Sequence, residues 1–103
     1  MFFRKPKAEC SIEDVKEAQK DPNSVIIDCR TASEVAGGKV QGSLVLDWLS
    51  GGFKSEVSSL DPSKTYYLYC RSGGRSGKAA SLLRSKGFEK VFNAGGYSGL
   101  KDL

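Results

Sequence analysis

The sequence predicts an α/β domain with a mostly parallel central sheet of about five short strands and helices on both faces. Short apolar runs alternate along the chain with segments of helical spacing, and no repeat or linker interrupts them. The run Val25–Ile27 is continuously apolar, which is typical of a strand buried on both sides in a parallel sheet. The length of 103 residues suits one domain, which we place at residues 1–103.

Cap and turn residues bound the elements of the first half. Ser11–Asp14 resembles a capping box and predicts a short amphipathic helix that the turn at 21–24 ends. After the strand at 25–27, Thr31 is the expected N-cap of a helix through Ala36. A strand at 44–46 and short helical turns over 47–60 follow. We also expect Phe2 and Phe3 to pack on the body of the domain.

The second half begins with the chain's strongest strand pattern. Five β-favouring residues, 65–69, lead into Cys70, and helical spacing starts after Ser76. Gly87 ends this helix, and 91–92 form a last short strand. We expect a turn at Asn93–Gly96.

The amino-acid composition limits the kinds of active site and cellular compartment that fit this chain. The three cysteines are an odd number without CxxC spacing, which favours a reducing compartment and one working thiol over a disulfide scaffold. The absence of histidine excludes a Cys–His pair and argues against a transition-metal site, so we expect no metal and no cofactor. Neither a membrane span nor a signal peptide is evident, which predicts a cytoplasmic protein, with a mature periplasmic or organellar form as the alternative.

The net charge of +4 is unevenly placed. Six basic residues and one acid, Glu89, lie between Cys70 and Lys90. Nucleic-acid binding is the rival explanation, but the aromatic residues lie in strands and do not alternate with the basic ones. We therefore expect an anionic small substrate or an acidic protein partner, no nucleic acid, no membrane and a monomer.

The segment from Cys70 to Ser76 is the candidate site. It places a thiol at the carboxyl end of a strand, where α/β sheets bind ligands, before a glycine-containing loop and the N-terminus of a helix. Backbone N–H groups, the helix dipole, Arg71 and Arg75 would all favour a thiolate and an anion beside it. Gly73 and Gly74 supply the backbone freedom that such a loop needs.

These residues resemble the rhodanese family in its single-domain form. The segment VIIDCRTASEVAGGKVQGS (25–43) resembles the first family signature, YCRSGGRS (69–76) resembles the catalytic loop, and 93–96 resembles the glycine pair near the family's C-terminus. Three residues of the first signature depart from it: Lys39 replaces His, Gln41 replaces Pro and Ser43 replaces Ala. The Trp after the glycine pair is also missing, which would change a wall of the pocket.

The resemblance implies a sulfurtransferase. Cys70 would be the nucleophile, taking sulfane sulfur from thiosulfate or a persulfide donor and passing it to cyanide, a thiol or a protein cysteine. The six residues from Cys70 to Arg75 match the short loop of sulfur transfer, whereas phosphatase-like relatives have one residue more. The substrate-binding residues would be Arg71, Ser72, Gly73, Gly74, Arg75 and Ser76. The alternatives are a non-enzymatic persulfide carrier or docking module and a phosphatase- or arsenate-reductase-like enzyme.

Other residues near this loop are assigned supporting roles. Asp28 and Arg30 are interpreted as an ion pair that orients the loop, with Glu34 as a further support. Arg71 is the better candidate to reach substrate, since Arg75 has the alternative of bonding loop carbonyls or Glu34. Cys29 is interpreted as structural, with resolution of a persulfide as the alternative. We assign no role to Cys10, place Lys39 on the surface and place Trp48 in the core.

Overall fold

The structure is a computed structural model, and it describes residues 7–103. Its helices are α1 (Ile12–Ala18), α2 (Ala32–Val35), α3 (Gly52–Glu56) and α4 (Gly74–Ser85). Its strands are β1 (Ser24–Asp28), β2 (Leu44–Val45), β3 (Thr65–Cys70) and β4 (Val91–Gly96). Short 3₁₀ turns cover Val57–Ser59 and Tyr97–Gly99. The predicted packing of Phe2 and Phe3 lies outside the described residues.

The four described strands form one sheet in the order β2-β1-β3-β4, and every neighbouring pair is parallel. The predicted α/β class is therefore confirmed. Four strands replace the expected five or so, because the described chain after β4 continues in a 3₁₀ turn. None of the helices between residues 7 and 103 is both long enough and apolar enough to cross a membrane.

The predicted capping box at Ser11 and the predicted N-cap at Thr31 are both present, and the structure shows that Thr31 also forms a capping box. The Ser11 hydroxyl accepts a hydrogen bond from the Asp14 N–H at 3.1 Å, and the Asp14 carboxylate accepts one from the Ser11 N–H at 2.9 Å. Thr31 and Glu34 form the same reciprocal pair on α2. These bonds satisfy backbone donors that a helix cannot satisfy by itself, which explains why both elements start where the sequence indicates.

The sheet buries an apolar cluster on each face. On one face, Ile27 and Leu68 pack with Phe53 of α3 and with Ala79 and Leu83 of α4. On the other, the buried cluster draws on α1, the sheet and the C-terminal segment; its members are Val15, Ala18, Ile26, Val40, Tyr69, Ala94 and Leu100. Helices therefore cover both faces, and this two-sided burial explains the continuous apolar run in β1.

The turn expected at Asn93–Gly96 is wrong, because β4 continues through these residues. Leu68 pairs with Asn93 and Tyr69 with Gly95, so Ala94 is an extra residue in β4. Gly95 has a φ of 86°, a left-handed conformation that glycine adopts without steric cost. The glycine signal therefore marks a β-bulge within a strand instead of the end of one.

A buried polar network joins β1 and β3 to the loop before β2. The Tyr69 hydroxyl donates to the Asp28 carboxylate at 2.7 Å and accepts the Val40 N–H at 2.9 Å. Asp28 and Tyr69 are both completely buried. Moving the loop at 38–43 away from the sheet would break these hydrogen bonds and leave buried polar groups without partners, which is costly. The network therefore holds this loop against the sheet.

We predict that Tyr69→Phe lowers the free energy of unfolding by roughly 1–3 kcal/mol, because both the Val40 N–H and the Asp28 carboxylate lose a buried partner. Urea unfolding measures the change. The control is Tyr67→Phe, since the Tyr67 hydroxyl makes no hydrogen bond to another described residue. Equal losses of unfolding free energy in the two variants would contradict the proposed contribution of the Tyr69 hydroxyl to stability.

Candidate active site

Cys70 lies at the carboxyl end of β3, next to the end of β4. It pairs with Gly96 across the sheet, and only 1% of its surface is exposed. The chain then passes through Arg71 and Ser72 and enters α4 at Gly74. This is the predicted strand–loop–helix arrangement, and it places the sulfur beneath the loop that follows it.

Hydrogen-bond donors converge on the Cys70 sulfur. The Gly73 N–H lies 3.0 Å from Sγ. The Ser76 hydroxyl lies 3.4 Å from Sγ and shares its single proton between Sγ and Asn93 Oδ1. Burial by itself raises the pKa of Cys70, but these two donors and the N–H groups of Ser76 and Ser72 outweigh it and leave the pKa below the ordinary thiol value. The site therefore favours the thiolate, which is the nucleophilic form of cysteine.

The two loop glycines have different roles. Gly73 has a φ of 97° and is the N-cap of α4, so a left-handed residue turns the chain from strand to helix and aims its N–H at Sγ. Gly74 is the first residue of α4. The helix therefore starts two residues before Ser76, where the sequence predicted helical spacing only after it. The early start places Arg75 and Ser76 in the first helical turn.

Asn93 is a supporting residue that was not predicted from the sequence. Its Oδ1 accepts hydrogen bonds from the Ser76 hydroxyl at 2.8 Å and from the Gly95 N–H at 3.0 Å. Its Nδ2 donates to the Gly73 carbonyl at 3.0 Å. Asn93 thus ties β4 to both residues that face Cys70. The only signal in the sequence was a polar residue directly after the apolar pair 91–92, two positions before the glycine pair.

Gly96 allows the strand and the loop to meet. A Cβ at this position would lie 2.6 Å from the Arg71 carbonyl oxygen and 3.3 Å from the Ser72 Cα. Both neighbours are backbone atoms, which cannot rotate away as a side chain can. The contact explains physically why a residue without a side chain lies beside the Cys70 loop.

The two arginines of the loop differ in their partners. Arg75 forms a bidentate ion pair with Glu34, at 2.7 and 2.9 Å, which is one of the two roles expected for it from the sequence. The hydrogen bonds from Arg75, together with weaker contributions from Thr31, lower the pKa of Glu34 to about 2. Arg71 is exposed and has no carboxylate partner within 4.0 Å among residues 7–103. Its guanidinium is therefore available to an external anion.

The ion pair predicted for Asp28 and Arg30 is present, with nitrogen and oxygen 2.8 Å apart. Arg30 is 4% exposed, donates to the Gly38 carbonyl at 2.6 Å and lies over the Tyr97 ring at 4.1 Å. A buried charge with this many internal partners supports the loop at 38–43.

Two grooves flank Arg71 and Ser72. One, of about 620 Å³, is lined by Arg71 and Ser72 together with Arg30, Tyr97, Ser98 and Lys101. The other, of about 300 Å³, lies on the Cys10 side, and Ser98 lines both. Ser98 and Gly99 stand where a family Trp was expected, and small exposed residues leave this wall open.

The sheet, the loop and its supports match one known family. A family model described as a rhodanese-like domain covers residues 11–103. The chain belongs to this family. The resemblance inferred from the residues at 25–43 and 69–76 is thereby confirmed.

Relatives of this rhodanese-like domain carry several names. A sulfurtransferase of Allochromatium vinosum is 29% identical over 89 residues, which are 85% of this chain and 81% of that protein. A tRNA uridine(34) hydroxylase of Acaryochloris marina is 32% identical over 93 residues, 82% of this chain but 28% of its own length. The structure titled "rhodanese with anions from E. coli" has a TM-score of 0.67 and 28% identity, over 74% of this chain and 89% of that one. The chain spans a third or less of the first curated relatives that it matches.

The remaining candidate residues of the domain divide by location. Cys29 is completely buried, whereas Cys10 is half-buried in the wall of the smaller groove. Lys39 is exposed and donates to the Ser43 carbonyl at 3.0 Å, and Trp48 is only partly buried at the edge of the core. Within residues 7–103, no three acidic, cysteine or histidine side chains are grouped to hold a metal ion.

We predict that Gly96→Ala displaces the Cys70 loop and lowers the free energy of unfolding by roughly 1–3 kcal/mol, since the new Cβ meets backbone atoms. Thermal unfolding and the alkylation rate of Cys70 measure the two effects. Gly99→Ala is the matched control, because a Cβ there meets nothing within 4 Å. If Gly96→Ala is as stable as the parent and its Cys70 is alkylated at the same rate, the close contact between Gly96 and the Arg71 carbonyl is refuted.

We predict that Ser76→Ala moves the midpoint of Cys70 alkylation to higher pH. The thiolate is the reacting form, and the variant loses the hydroxyl that helps to hold the pKa of Cys70 below its ordinary value. Alkylation by iodoacetamide at a series of pH values gives the midpoint. Ser81→Ala, at an exposed position of the same helix, should leave it unchanged. An unshifted midpoint in Ser76→Ala would remove Ser76 from the site.

Proposed function

We propose that the chain is a sulfurtransferase that carries sulfane sulfur as a persulfide on Cys70. The observation that carries this proposal is the sulfur itself, which is buried, faces the Gly73 N–H and the Ser76 hydroxyl, and has a lowered pKa. A relative named sulfurtransferase aligns over 81% of its length and supports the same class of reaction. The proposed donor is a small anion such as thiosulfate.

Two half-reactions balance without a metal or a separate base. The Cys70 thiolate attacks the outer sulfur of thiosulfate, a new S–S bond forms, and the bond to the sulfonate breaks with release of sulfite. An acceptor nucleophile, cyanide in an assay or a thiol or protein cysteine, then attacks the outer sulfur and restores the thiolate. This is covalent catalysis of the ping-pong type.

The loop residues have separate tasks in this proposal. Arg71, with no carboxylate partner among the described residues, binds the anionic end of the donor and favours departure of sulfite. The N–H groups from Ser72 to Ser76 hold the negative charge as it moves from Sγ to the outer sulfur. Arg75 contributes by fixing the first turn of α4 through Glu34.

The pairing of Arg75 also bears on a phosphatase-like or arsenate-reductase-like activity. Those reactions need hydrogen-bond donors around a tetrahedral oxyanion. Here both terminal nitrogens of the Arg75 guanidinium already donate to Glu34. Together with the loop of six residues from Cys70 to Arg75, this favours a single sulfur atom as the group held.

The test is to incubate the protein with thiosulfate, measure its intact mass, add cyanide and determine thiocyanate. We expect a gain of one sulfur that cyanide removes, and neither step in Cys70→Ser. No mass gain would refute the mechanism. A mass gain that cyanide and small thiols cannot discharge would identify a persulfide carrier. Turnover of a phosphate ester or of arsenate would identify a phosphatase-like or arsenate-reductase-like enzyme.

We predict that Arg71→Ala raises the KM for thiosulfate roughly tenfold, because a charge-assisted contact to the donor is lost. Added salt should narrow the difference between variant and parent, since salt screens an exposed charge. Lys16→Ala, at an exposed position on α1, is the charge-matched control. An unchanged KM in Arg71→Ala would mean that this arginine does not contact the donor.

A further inference from the structure

Two cysteines of different strands face the same side of the sheet. Ile27 of β1 pairs with Leu68 of β3, and Asp28 pairs with Tyr69. One residue further along both strands stand Cys29 and Cys70, and the Cys29 N–H donates to the Tyr69 carbonyl at 2.9 Å. Side chains alternate between faces along a strand, so both cysteines share the face of Ile27 and Leu68. All four side chains belong to the same buried cluster.

This placement suits a covalent bond between the thiols. Neighbouring strands lie about 4.8 Å apart, and cysteines with Cα atoms about 4.4–6.8 Å apart can form a disulfide. Cys29 is completely buried and Cys70 is 1% exposed, so the two thiols lie side by side in the interior of the domain. The loop donors, by contrast, come from the residues that follow Cys70.

We propose that Cys29 is a resolving thiol that converts the Cys70 persulfide into a Cys29–Cys70 disulfide and releases sulfide. The Cys29 sulfur attacks Cys70 Sγ, one S–S bond forms, and the bond to the outer sulfur breaks. The outer sulfur is reduced and leaves as sulfide, with the proton of Cys29 passing to it, while the Cys29 thiol is oxidised. An external thiol then reduces the disulfide. The step rests on the sulfur-transfer function proposed above.

The resolving step is slow relative to sulfur transfer to an acceptor. Burial raises the pKa of Cys29, and the negative charges of Cys70 and Asp28 raise it further. At neutral pH Cys29 is therefore a thiol, which is a poor nucleophile. Sulfide is released only when no acceptor arrives, and its release should accelerate about tenfold per pH unit as the Cys29 thiolate becomes more populated.

The first experiment tests the thiol pair without any sulfur donor. The reduced protein is treated with one equivalent of hydrogen peroxide, which oxidises the Cys70 thiolate to a sulfenic acid. The Cys29 thiol then condenses with the sulfenic acid to form the disulfide and release water. We expect a mass decrease of two hydrogens and a peptide that joins Cys29 to Cys70, in the parent and in Cys10→Ser. A link that includes Cys10, or sulfinic acid on Cys70 without any link, would overturn the proposal.

The second experiment measures the sulfide released by protein loaded with thiosulfate and freed of excess donor. We expect one equivalent of sulfide per chain in the parent and in Cys10→Ser, and at least tenfold slower release in Cys29→Ser and Cys29→Ala. Equal release rates in the parent and in either Cys29 variant would refute the resolving role even if the persulfide forms. Failure to load any sulfur, with the peroxide link intact, would refute the sulfur-transfer function and leave the thiol pair standing.

Discussion

The Cys70 site depends on the buried amide of Asn93. The amide oxygen accepts hydrogen bonds from the Gly95 N–H of β4 and from the Ser76 hydroxyl of α4. The amide nitrogen donates a hydrogen bond to the Gly73 carbonyl. Asn93 is 4% exposed, so each of these bonds is made away from water, where an unpaired partner is costly. The donors that face the sulfur are consequently fixed by the sheet before any ligand arrives. Such preorganised donors need no rearrangement when negative charge develops.

The β-bulge in β4 makes this connection possible. The extra residue, Ala94, lets the strand keep Asn93 opposite Leu68 and still bring Gly95 and Gly96 opposite Tyr69 and Cys70. The Asn93 side chain then reaches α4, and Gly96 passes the Arg71 carbonyl, with no side chain between them. The bulge in β4 thus brings two supports to the Cys70 loop: the Asn93 side chain and the close backbone contact at Gly96.

Much of this arrangement follows from local sequence. Several features depend only on neighbouring residues and were predictable: the capping box at Ser11, the N-cap at Thr31, the apolar β1 and the position of Cys70 at a strand end. The continuation of β4 and the role of Asn93 were not, because they depend on pairing with β3 and contact with α4. Glycine at 95 and 96 indicates backbone freedom, but only the neighbouring strand decides between a turn and a bulge.

Charge around the site is divided in a way that favours an anionic donor. The Arg30 and Arg75 guanidiniums are neutralised by Asp28 and Glu34, so they add rigidity and little net field. Arg71 directly follows Cys70 in the chain and is an exposed positive charge without a carboxylate partner among the described residues. One guanidinium cannot balance both the Cys70 thiolate and an anionic donor, so the loop N–H groups must stabilise the excess negative charge. Because those N–H groups are dipoles without a net charge, they stabilise the thiolate and the persulfide alike and let sulfite depart.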